Sequence, residues 1–294
     1  MKVRIECIPC YLKQVLSTVK VADYPEDKAN NIFYEAMKVI PELDTESTPA
    51  ENSTLVLLEA YKAMGMEDPY KQAKKESNEL AMKFYGNLEH LIKKSPDPLL
   101  TAFKISVAGN IIDMGIMPDF DINVAINEIT GKEFDKCDYD DFKNCLINSK
   151  NVMILADNSG EIVFDKLLVD VLKTYGVHIT YVVKGKPILN DATMEDAVES
   201  GMDKIAEVIT NGAGFLGTVI HRCSDEFIKR FENADLVISK GQANYESLEG
   251  SEFAGDKTFF VLRVKCDLVA DCAGARFGDI LFLRNRVLPK QEKN

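Results

Sequence analysis

The sequence predicts an α/β protein, with a Rossmann-like, mostly parallel sheet flanked by helices and an all-helical N-terminal region packed on it. The evidence is a change of apolar pattern near residue 150. Before that point, apolar residues recur at helical spacing, as in the stripes 32–40 and 80–92. After it, short continuous apolar runs alternate with helix-like segments, which is typical of parallel strands covered on both faces.

The individual elements follow from these runs and from the residues that separate them. Apolar runs predict five strands, at 152–155, 179–183, 207–210, 236–239 and 259–264. Helices are predicted over 161–175 and 193–200, with another from 99 to about 112 and an N-terminal one that starts near Asn52. We therefore expect a helical N-terminal region over 1–98, a helical connecting segment that contributes to the site over 99–150, and an α/β core over 151–294.

Composition disfavours several classes of protein. The 294 residues carry a net charge of -12, which argues against a nucleic-acid binder. No apolar run reaches the roughly 18 to 20 residues of a membrane span, and the N-terminus has no apolar signal-peptide core, so we expect a cytoplasmic protein. The seven cysteines are then expected to be thiols. The three histidines share no ligand spacing, so any metal is expected to sit on oxygen ligands.

Polar residues follow each predicted strand, at the edge where a parallel sheet binds its ligands. In chain order these residues are Asp157 and Asn158, Lys184, Asn211, Lys240 and Lys265. Because the carboxyl ends of parallel strands meet at one edge, we expect this acid, the two amides and the three lysines to converge on one crevice.

Asp157 and Asn158 are the candidate metal ligands that the residues themselves indicate. Just past a strand end, a carboxylate and a neutral oxygen can both aim at one ion. The alternative is an Asn/Asp turn that caps the next helix, a role that Ser159 could also fill. Asp191, which follows the second strand, could supply a second carboxylate, and the alternative is that Asp191 or Asn190 caps the short helix beyond it.

The segment after the fourth strand, residues 240–246, is the second candidate. Gly241 allows close approach of the backbone or a positive φ. Lys240 is placed to meet a phosphate group, and Asn244 and Glu246 can reach back toward the strand ends. The alternative for Lys240 is a solvated lysine with no role in a site.

Cysteine and glycine motifs leave several interpretations open. The pair Cys7 and Cys10 could hold a metal, form a reversible disulfide or simply pack, and a zinc site would need further ligands such as Cys266. A thioredoxin-type site is disfavoured because no strand precedes the pair. The spacing GxGxxG at 212–217 follows the third strand and lacks an acidic partner for a ribose, so no dinucleotide site is predicted. His221 is interpreted as structural.

Taken together, five segments resemble one known family. They are CIPC at 7–10, GNIID at 109–113, DNSGE at 157–161, KGQANYE at 240–246 and KC at 265–266. In this order and spacing they are similar to the damage-control phosphatase family, also called domain of unknown function 89. The combination of CxxC with KC resembles the subfamily found in archaea and some other microbes.

The resemblance implies a divalent metal, manganese, nickel, cobalt or magnesium, bound by Asp157, Asn158 and Asp191 in the core. It also implies hydrolysis of phosphate monoesters of small metabolites, such as damaged or surplus sugar phosphates or nucleotides. The pairing of CxxC with KC implies that Cys7, Cys10 and Cys266 lie close together, with their role left open. Alanine and tyrosine replace glycine and phenylalanine of the family's GNFE motif at 243–246, which bears on substrate fit.

A mechanism with metal-activated water and no covalent intermediate is consistent with these residues. Lys240 and Lys265 would offset charge on the phosphoryl oxygens, and Asp191 or Glu246 would orient the water.

Asn110 and Asp113 lie three apart on one helix face and would close the pocket, unless they form a helix end in solvent. A haloacid-dehalogenase-type phosphatase is disfavoured because DNSGE lacks the second aspartate of DxD. The remaining alternatives are an S-adenosylmethionine-dependent carboxyl methyltransferase, disfavoured because DNSGE has one glycine, and a non-catalytic metal- or nucleotide-binding protein. The sequence does not determine the substrate, the metal or the oligomeric state.

Overall fold

The computed structural model describes residues 1–108 and 130–287, which form eleven helices and one seven-stranded sheet. The helices are α1 Cys7–Val21, α2 Glu26–Val39, α3 Pro49–Met64, α4 Lys71–Lys94, α5 Pro98–Ala108, α6 Tyr139–Ile147, α7 Glu161–Lys173, α8 Met194–Ser200, α9 Asp225–Glu232, α10 Gln242–Leu248 and α11 Asp267–Ala273. The strands are β1 Lys136–Cys137, β2 Asn151–Leu155, β3 His178–Val183, β4 Glu207–Thr210, β5 Leu236–Lys240, β6 Thr258–Arg263 and β7 Ile280–Arg284. The predicted α/β class and mostly parallel sheet are confirmed.

The sheet has the order β1-β7-β6-β5-β2-β3-β4, and every neighbouring pair is parallel except β6 and β7. The five predicted strands are present with bounds within one residue of the prediction. The two additional strands lie together at one edge, where Lys136 pairs with Leu281 and Cys137 with Phe282. From β2 the chain passes to β3 on one side, while β5 lies on the other, so the topology changes direction between β2 and β5.

Alternation along the strands produces two apolar layers. In β2, Val152 and Ile154 face a core shared with α4, α5, α6 and α7. Met153 and Leu155 face the opposite core, which α9, α10 and α11 cover. Because successive strand residues point to opposite faces, both sets can be apolar only in a sheet that is buried on both sides.

The first three helices form a third apolar cluster of their own. Their buried residues pack together with Ile188 and Leu216, which belong to the loops that follow β3 and β4. The helical layer therefore covers the edge of the sheet where the parallel strands end. Helix α3 begins at Pro49 with Thr48 as N-cap, three residues before the predicted start at Asn52, because Pro is favoured in the first helical turn.

The division of the chain at residues 98 and 150 stays a prediction. Among the helices of the described residues, none combines the length and the apolar content needed to cross a membrane.

Candidate functional site

The change of direction between β2 and β5 creates a crevice at the carboxyl ends of the strands, which is where open α/β sheets bind ligands. Asp157 follows β2 there, and Gly241 follows β5. An added Cβ on Gly241 would lie 2.1 Å from the Asp157 carboxyl group, so the backbone after β5 approaches this acid closely. Gly241 also has a φ of 81°, a value that side-chain-bearing residues rarely adopt.

Asp157, Asn158 and Asp191 lie together in this crevice, and all three are buried. Asn158 and Asp191 form an antiparallel β-bridge, and the Ala192 amide donates to the Asp157 carbonyl at 2.9 Å. None of the three caps a helix, because Gly160 is the N-cap of α7 and the cap of α8 comes later in the chain.

The alternatives based on helix capping are therefore wrong at these positions. Thr193 caps α8 in a capping box with Asp196, and neither Asn190 nor Asp191 takes part. Ser159 does not cap α7, because its hydroxyl donates to Asp196 at 3.0 Å. Asp157, Asn158 and Asp191 therefore have no helix-capping role, and their side chains are available for ligand binding.

Burial shapes the charge of the two aspartates. Burial, together with repulsion from Asp191, raises the pKa of Asp157 to about 6. Burial likewise raises the pKa of Asp191, against the opposing effect of Lys184, whose Nζ lies 3.4 Å from its Oδ2. The charge of Lys265, an exposed residue, also acts to lower the pKa of both aspartates. These carboxylates lack enough positive charge around them to ionise as readily as they would in water.

Behind Asn158 lies a fully buried ionic network on α7 and β5. Lys240 Nζ donates to Glu161 Oε2 at 2.9 Å and to Asp165 Oδ1 at 2.6 Å. Asp165 also accepts from Ser106 Oγ and from Tyr181 Oη, each at 2.6 Å. Burial lowers the pKa of Lys240, but the charges of Asp165 and Glu161 outweigh it and raise that pKa above its ordinary value.

The negative charge of the neighbouring Glu161 is less well compensated by nearby opposite charge than the positive charge of Lys240 is. Its burial raises its pKa to about 7 despite the attraction of Lys240. Across the crevice, four buried carboxylates face two buried ammonium groups, Lys184 and Lys240. The carboxylates belong to Asp157, Glu161, Asp165 and Asp191. If all four carboxylates ionised, they would exceed the two buried ammonium groups by two negative charges, an excess that a divalent cation would neutralise.

Asn244 connects the strand ends instead of facing the crevice. Its Nδ2 donates to the carbonyls of Ala156 at 3.1 Å and Lys240 at 2.8 Å, and its Oδ1 accepts from Thr218 Oγ1 at 2.8 Å. Ala156 precedes Asp157 directly, so this amide fixes the backbone that carries the acid. The catalytic role expected for Asn244 stays a prediction.

Glu246 lies on the side of α10 that faces the N-terminal residues. Its Oε1 accepts from Gln242 Nε2 at 2.8 Å, and the terminal amine of Met1 donates to its backbone carbonyl at 3.2 Å. Burial raises the pKa of Glu246 to about 7. Gln242, the N-terminal amine and the backbone of Ala50 act to lower this pKa, so the Glu246 carboxyl group lies beside the start of α3 and the N-terminus.

The three motif cysteines lie near Glu246. The charges of Cys7, Cys266 and Glu246 all raise the pKa of the Cys10 thiol, after the larger effect of burial. Gln242 Nε2 contacts Cys266 Sγ at 3.5 Å and also binds Glu246, so one amide links the KC motif to this acid. Within residues 1–108 and 130–287, the cysteines are free thiols. Their role is left open by this arrangement.

The remaining candidates fall outside the crevice or outside the described residues. Asn110 and Asp113 belong to the stretch 109–129, which the structure does not describe. Gly217 packs against the Ala243 carbonyl, and the glycine-rich segment continues into a 3₁₀ turn, Ile220–Arg222. In a Rossmann dinucleotide site, an α-helix follows the glycine-rich turn directly. The 3₁₀ turn found here does not provide that helix.

The donor set at the crevice fits a hard divalent cation. Asp157, Asn158 and Asp191 offer two carboxylates and one amide oxygen, which are oxygen ligands of the kind Mg²⁺ and Mn²⁺ prefer. In the described parts of the chain, no three His, Cys, Asp or Glu side chains converge as a metal cage. Sites for Mg²⁺ use one or two carboxylates and leave the other positions to water and substrate phosphate, so this smaller set is sufficient.

A cavity of about 430 Å³ lies beside the loops that follow β3 and β4. Lys186, Phe215 and Arg222 contribute to its lining, and so does Tyr61. The Tyr61 hydroxyl accepts from the backbone amide of Leu189 at 2.9 Å, two residues before Asp191. A second cavity of about 600 Å³ lies beside α4, and none of the described residues that line it is a carboxylate.

Sequence reasoning missed the roles of Glu161 and Asp165. They stand four apart on α7, among the apolar residues of its buried face, and this spacing places them on one side of the helix. Two acids within a buried apolar face are a signal that a buried cation, here Lys240, lies opposite them. Tyr181 gives a similar signal, because its hydroxyl is a polar group within the apolar strand β3 and needs a buried partner.

The fold and the site define a class: an α/β protein with an acidic, oxygen-ligand crevice at the topological switch point of its sheet. The sequence profile of the damage-control phosphatase ARMT1-like domain matches residues 3–281. The chain therefore belongs to the family of ARMT1-like damage-control phosphatases, and this supports a phosphatase role in metabolite repair.

Individual relatives cover almost the whole chain. An uncharacterised protein of Methanocaldococcus jannaschii is 35% identical over 97% of this chain and 96% of its own length. A damage-control phosphatase of Archaeoglobus fulgidus is 34% identical over 96% of this chain and 98% of its own. The crystal structure of a DUF89 family protein from Pyrococcus horikoshii superposes with a TM-score of 0.88 at 29% identity, covering 97% and 100% of the two chains.

Proposed function

We propose that this protein is a metal-dependent phosphatase that hydrolyses phosphate monoesters of small metabolites with a metal-activated water. The observation that carries the proposal is the convergence of Asp157, Asn158 and Asp191 at the switch point, within a buried cluster of four carboxylates and two ammonium groups. Divalent ions such as Mn²⁺, Ni²⁺, Co²⁺ or Mg²⁺ are the cations we expect there.

When bound, such an ion supplies polarisation of a phosphoryl oxygen and a water of lowered pKa. The chain's own residues hold the reacting groups in place. Asp157 and Asp191 fix two carboxylates about one point, and the close approach of Gly241 confines the Asp157 side chain. Confinement of this kind would hold the carboxylate of Asp157 in one position, and precise positioning of the reacting groups is the main requirement of phosphoryl transfer.

The lysines at the strand ends differ in what they can do. Lys265 is exposed, and its charge reaches Asp157 and Asp191, so we assign it the contact with the phosphoryl oxygens of the substrate. Lys184 is buried against Asp191 and balances the charge of that ligand. Lys240 is 1% exposed and already holds two carboxylates, so its effect on the substrate is indirect.

We expect the rest of the substrate to occupy the cavity of about 430 Å³ that is lined in part by Lys186 and Pro187, in the loop that leads from β3 to Asp191. A volume of this size suits a small metabolite. Lys186 and Arg222, the latter paired with Glu51, supply positive charge at its wall, Glu67 supplies a negative charge, and Phe215 supplies an apolar surface. Two relatives are named damage-control phosphatases, and the substrate classes that we expect are damaged or surplus sugar phosphates and nucleotides.

The direct test is the Asp157→Ala variant, assayed with p-nitrophenyl phosphate and added Mn²⁺. We expect the variant to lose nearly all metal-stimulated phosphate release, whereas Asp203→Ala, a change at an exposed aspartate, retains it. Unchanged turnover in Asp157→Ala would refute the metal assignment. Methyl transfer from S-adenosylmethionine, or tight metal binding without turnover in the wild type, would favour the alternative functions.

A screen of sugar phosphates and nucleotides with several divalent ions then identifies the substrate class. We expect the preferred substrate to show the largest metal-dependent kcat/KM. Uniformly low rates across all phosphate esters would contradict a phosphatase role.

A further inference from the structure

Glu161 connects the proposed metal ligand Asn158 to a second layer of buried charge. It is the first residue of α7, its side chain is 1% exposed, and the proposed function above gives it no role beyond its charge. Its Oε1 accepts from Asn158 Nδ2 at 3.2 Å, and its Oε2 accepts from Lys240 Nζ at 2.9 Å. This carboxylate therefore touches a ligand residue with one oxygen and an ammonium group with the other.

The contact with Glu161 determines which way the Asn158 amide faces. An amide binds a cation through its oxygen only, because its nitrogen carries two hydrogens and is a donor. In Asn158, Nδ2 donates to Asp157 Oδ2 and to Glu161 Oε1, both at 3.2 Å. Since Nδ2 and Oδ1 diverge from the same carbon, these bonds turn Oδ1 away from Asp157 Oδ2 and Glu161 Oε1. A flipped amide would lose both bonds and place its oxygen against two carboxylates.

Lys240 and Asp165 hold Glu161 in this position. Lys240 Nζ lies between Glu161 Oε2 and Asp165 Oδ1, and all three side chains are at most 1% exposed. Asp165 is itself fixed by hydroxyl donors from Ser106 and Tyr181, each at 2.6 Å. A carboxylate bound on both sides in this way has little freedom to turn, so the direction of its Oε1 is set by the fold.

We propose that Glu161 is a positioning residue that orients Asn158 for metal binding, with Lys240 and Asp165 as its supports. The inference rests on the proposed function, since it needs a metal held by Asp157, Asn158 and Asp191. Glu161 touches neither metal nor substrate in this arrangement, and it acts through the asparagine. Lys240 then serves the site as the partner of Glu161.

The test is the Mn²⁺ affinity of the full chain, measured by titration calorimetry for the wild type, Glu161→Gln and Asp165→Asn. Each substitution removes one negative charge from the same network, but only Glu161 contacts Asn158. In Glu161→Gln the new amide gives its oxygen to Lys240 and presents N–H groups to Asn158, which favours the flipped asparagine. We expect this variant to weaken Mn²⁺ binding by about tenfold or more, and clearly more than Asp165→Asn does.

A second background separates orientation from charge. In Asn158→Asp, either carboxylate oxygen can bind the ion, so orientation by Glu161 no longer matters. Adding Glu161→Gln to that variant is expected to leave Mn²⁺ affinity unchanged or to improve it. Equal weakening by Glu161→Gln and Asp165→Asn, or the same loss in both backgrounds at 158, would overturn the proposal.

Two further measurements keep the outcomes distinct. Thermal unfolding without metal reports whether each variant folds. If Glu161→Gln does not fold, Glu161→Asp replaces it, because aspartate keeps the charge but withdraws the carboxylate from Asn158. Unchanged Mn²⁺ affinity in a folded Glu161→Asp would overturn the positioning role. Failure of the wild type to bind Mn²⁺ would instead overturn the proposed function, whereas wild-type affinity in Glu161→Gln would overturn this inference alone.

Discussion

Replacing Gly241 by alanine tests the geometry of the crevice with a single added methyl group. The new Cβ would lie 2.1 Å from the Asp157 carboxyl group, and ordinary contacts begin at 3.4 Å. The carboxyl group must therefore move by more than 1 Å. Backbone angles of 81° and 162° at this residue belong to a region used almost only by glycine, which adds about 1–3 kcal/mol of strain for alanine.

We expect Gly241→Ala to reduce metal-dependent phosphate release by roughly 100-fold, because a displacement near 1 Å in a positioned site has about that effect. The loss should appear in Mn²⁺ affinity as well as in kcat, since Asp157 is a proposed ligand. The assay combines p-nitrophenyl phosphate turnover over a range of Mn²⁺ concentrations with urea unfolding of the metal-free protein.

Gly65→Ala is the matched control. Gly65 also has a positive φ, 67°, but an added Cβ there meets no atom within 4 Å. We expect this variant to lose about 1 kcal/mol of stability and to retain its turnover. Full Mn²⁺ affinity and full turnover in Gly241→Ala would refute the placement of Asp157 in the reacting site.

Three further predictions concern single residues. The folded pKa of Glu246, about 7, lies above its ordinary 4.5, so its ionisation destabilises the fold increasingly from pH 4.5 to 7 and fully above that range. Glu246→Gln should therefore stabilise the protein by up to about 3 kcal/mol at pH 8 and hardly at all at pH 4, as measured by urea unfolding. Equal stabilisation at both pH values would contradict this prediction. Asn244→Ala leaves two buried strand-end carbonyls without a donor and should cost roughly 2–5 kcal/mol in the same assay, and a loss below 1 kcal/mol would be inconsistent with that role. Lys265→Met should raise KM for p-nitrophenyl phosphate by about tenfold with little change in the free energy of unfolding, and an unchanged KM would remove Lys265 from the site.

The strands and their polar ends were predictable because they depend on short-range pattern. A buried parallel strand reads as a continuous apolar run, and the first polar residue after it marks the strand end. This is why Asp157 and Asn158 lie just after β2 as predicted, and why Lys240, predicted to follow the strand, is within one residue of that position as the last residue of β5. The strands β1 and β7 were not predicted, because β1 has only two residues, both exposed, and gains its pairing from β7 far along the chain.

The hydrogen-bond partners within the site could not be predicted from local pattern. Lys240 was expected to meet a phosphate group, but its direction depends on how α7 packs beneath the sheet and brings Glu161 and Asp165 to it. Glu246 was grouped with the site because it follows β5 closely. On α10 its side chain accepts from Gln242 and its backbone carbonyl accepts from the N-terminal amine, and these contacts depend on tertiary packing.

The most direct measurement for the central claim is the position of bound Mn²⁺ in a crystal of the full chain, located by its anomalous scattering. We expect one peak per chain, at about 2.0–2.4 Å from carboxylate oxygens of Asp157 and Asp191 and from Oδ1 of Asn158. An ion found only elsewhere, such as at the cysteines near Glu246, or no peak in the crevice at saturating Mn²⁺, would contradict the account.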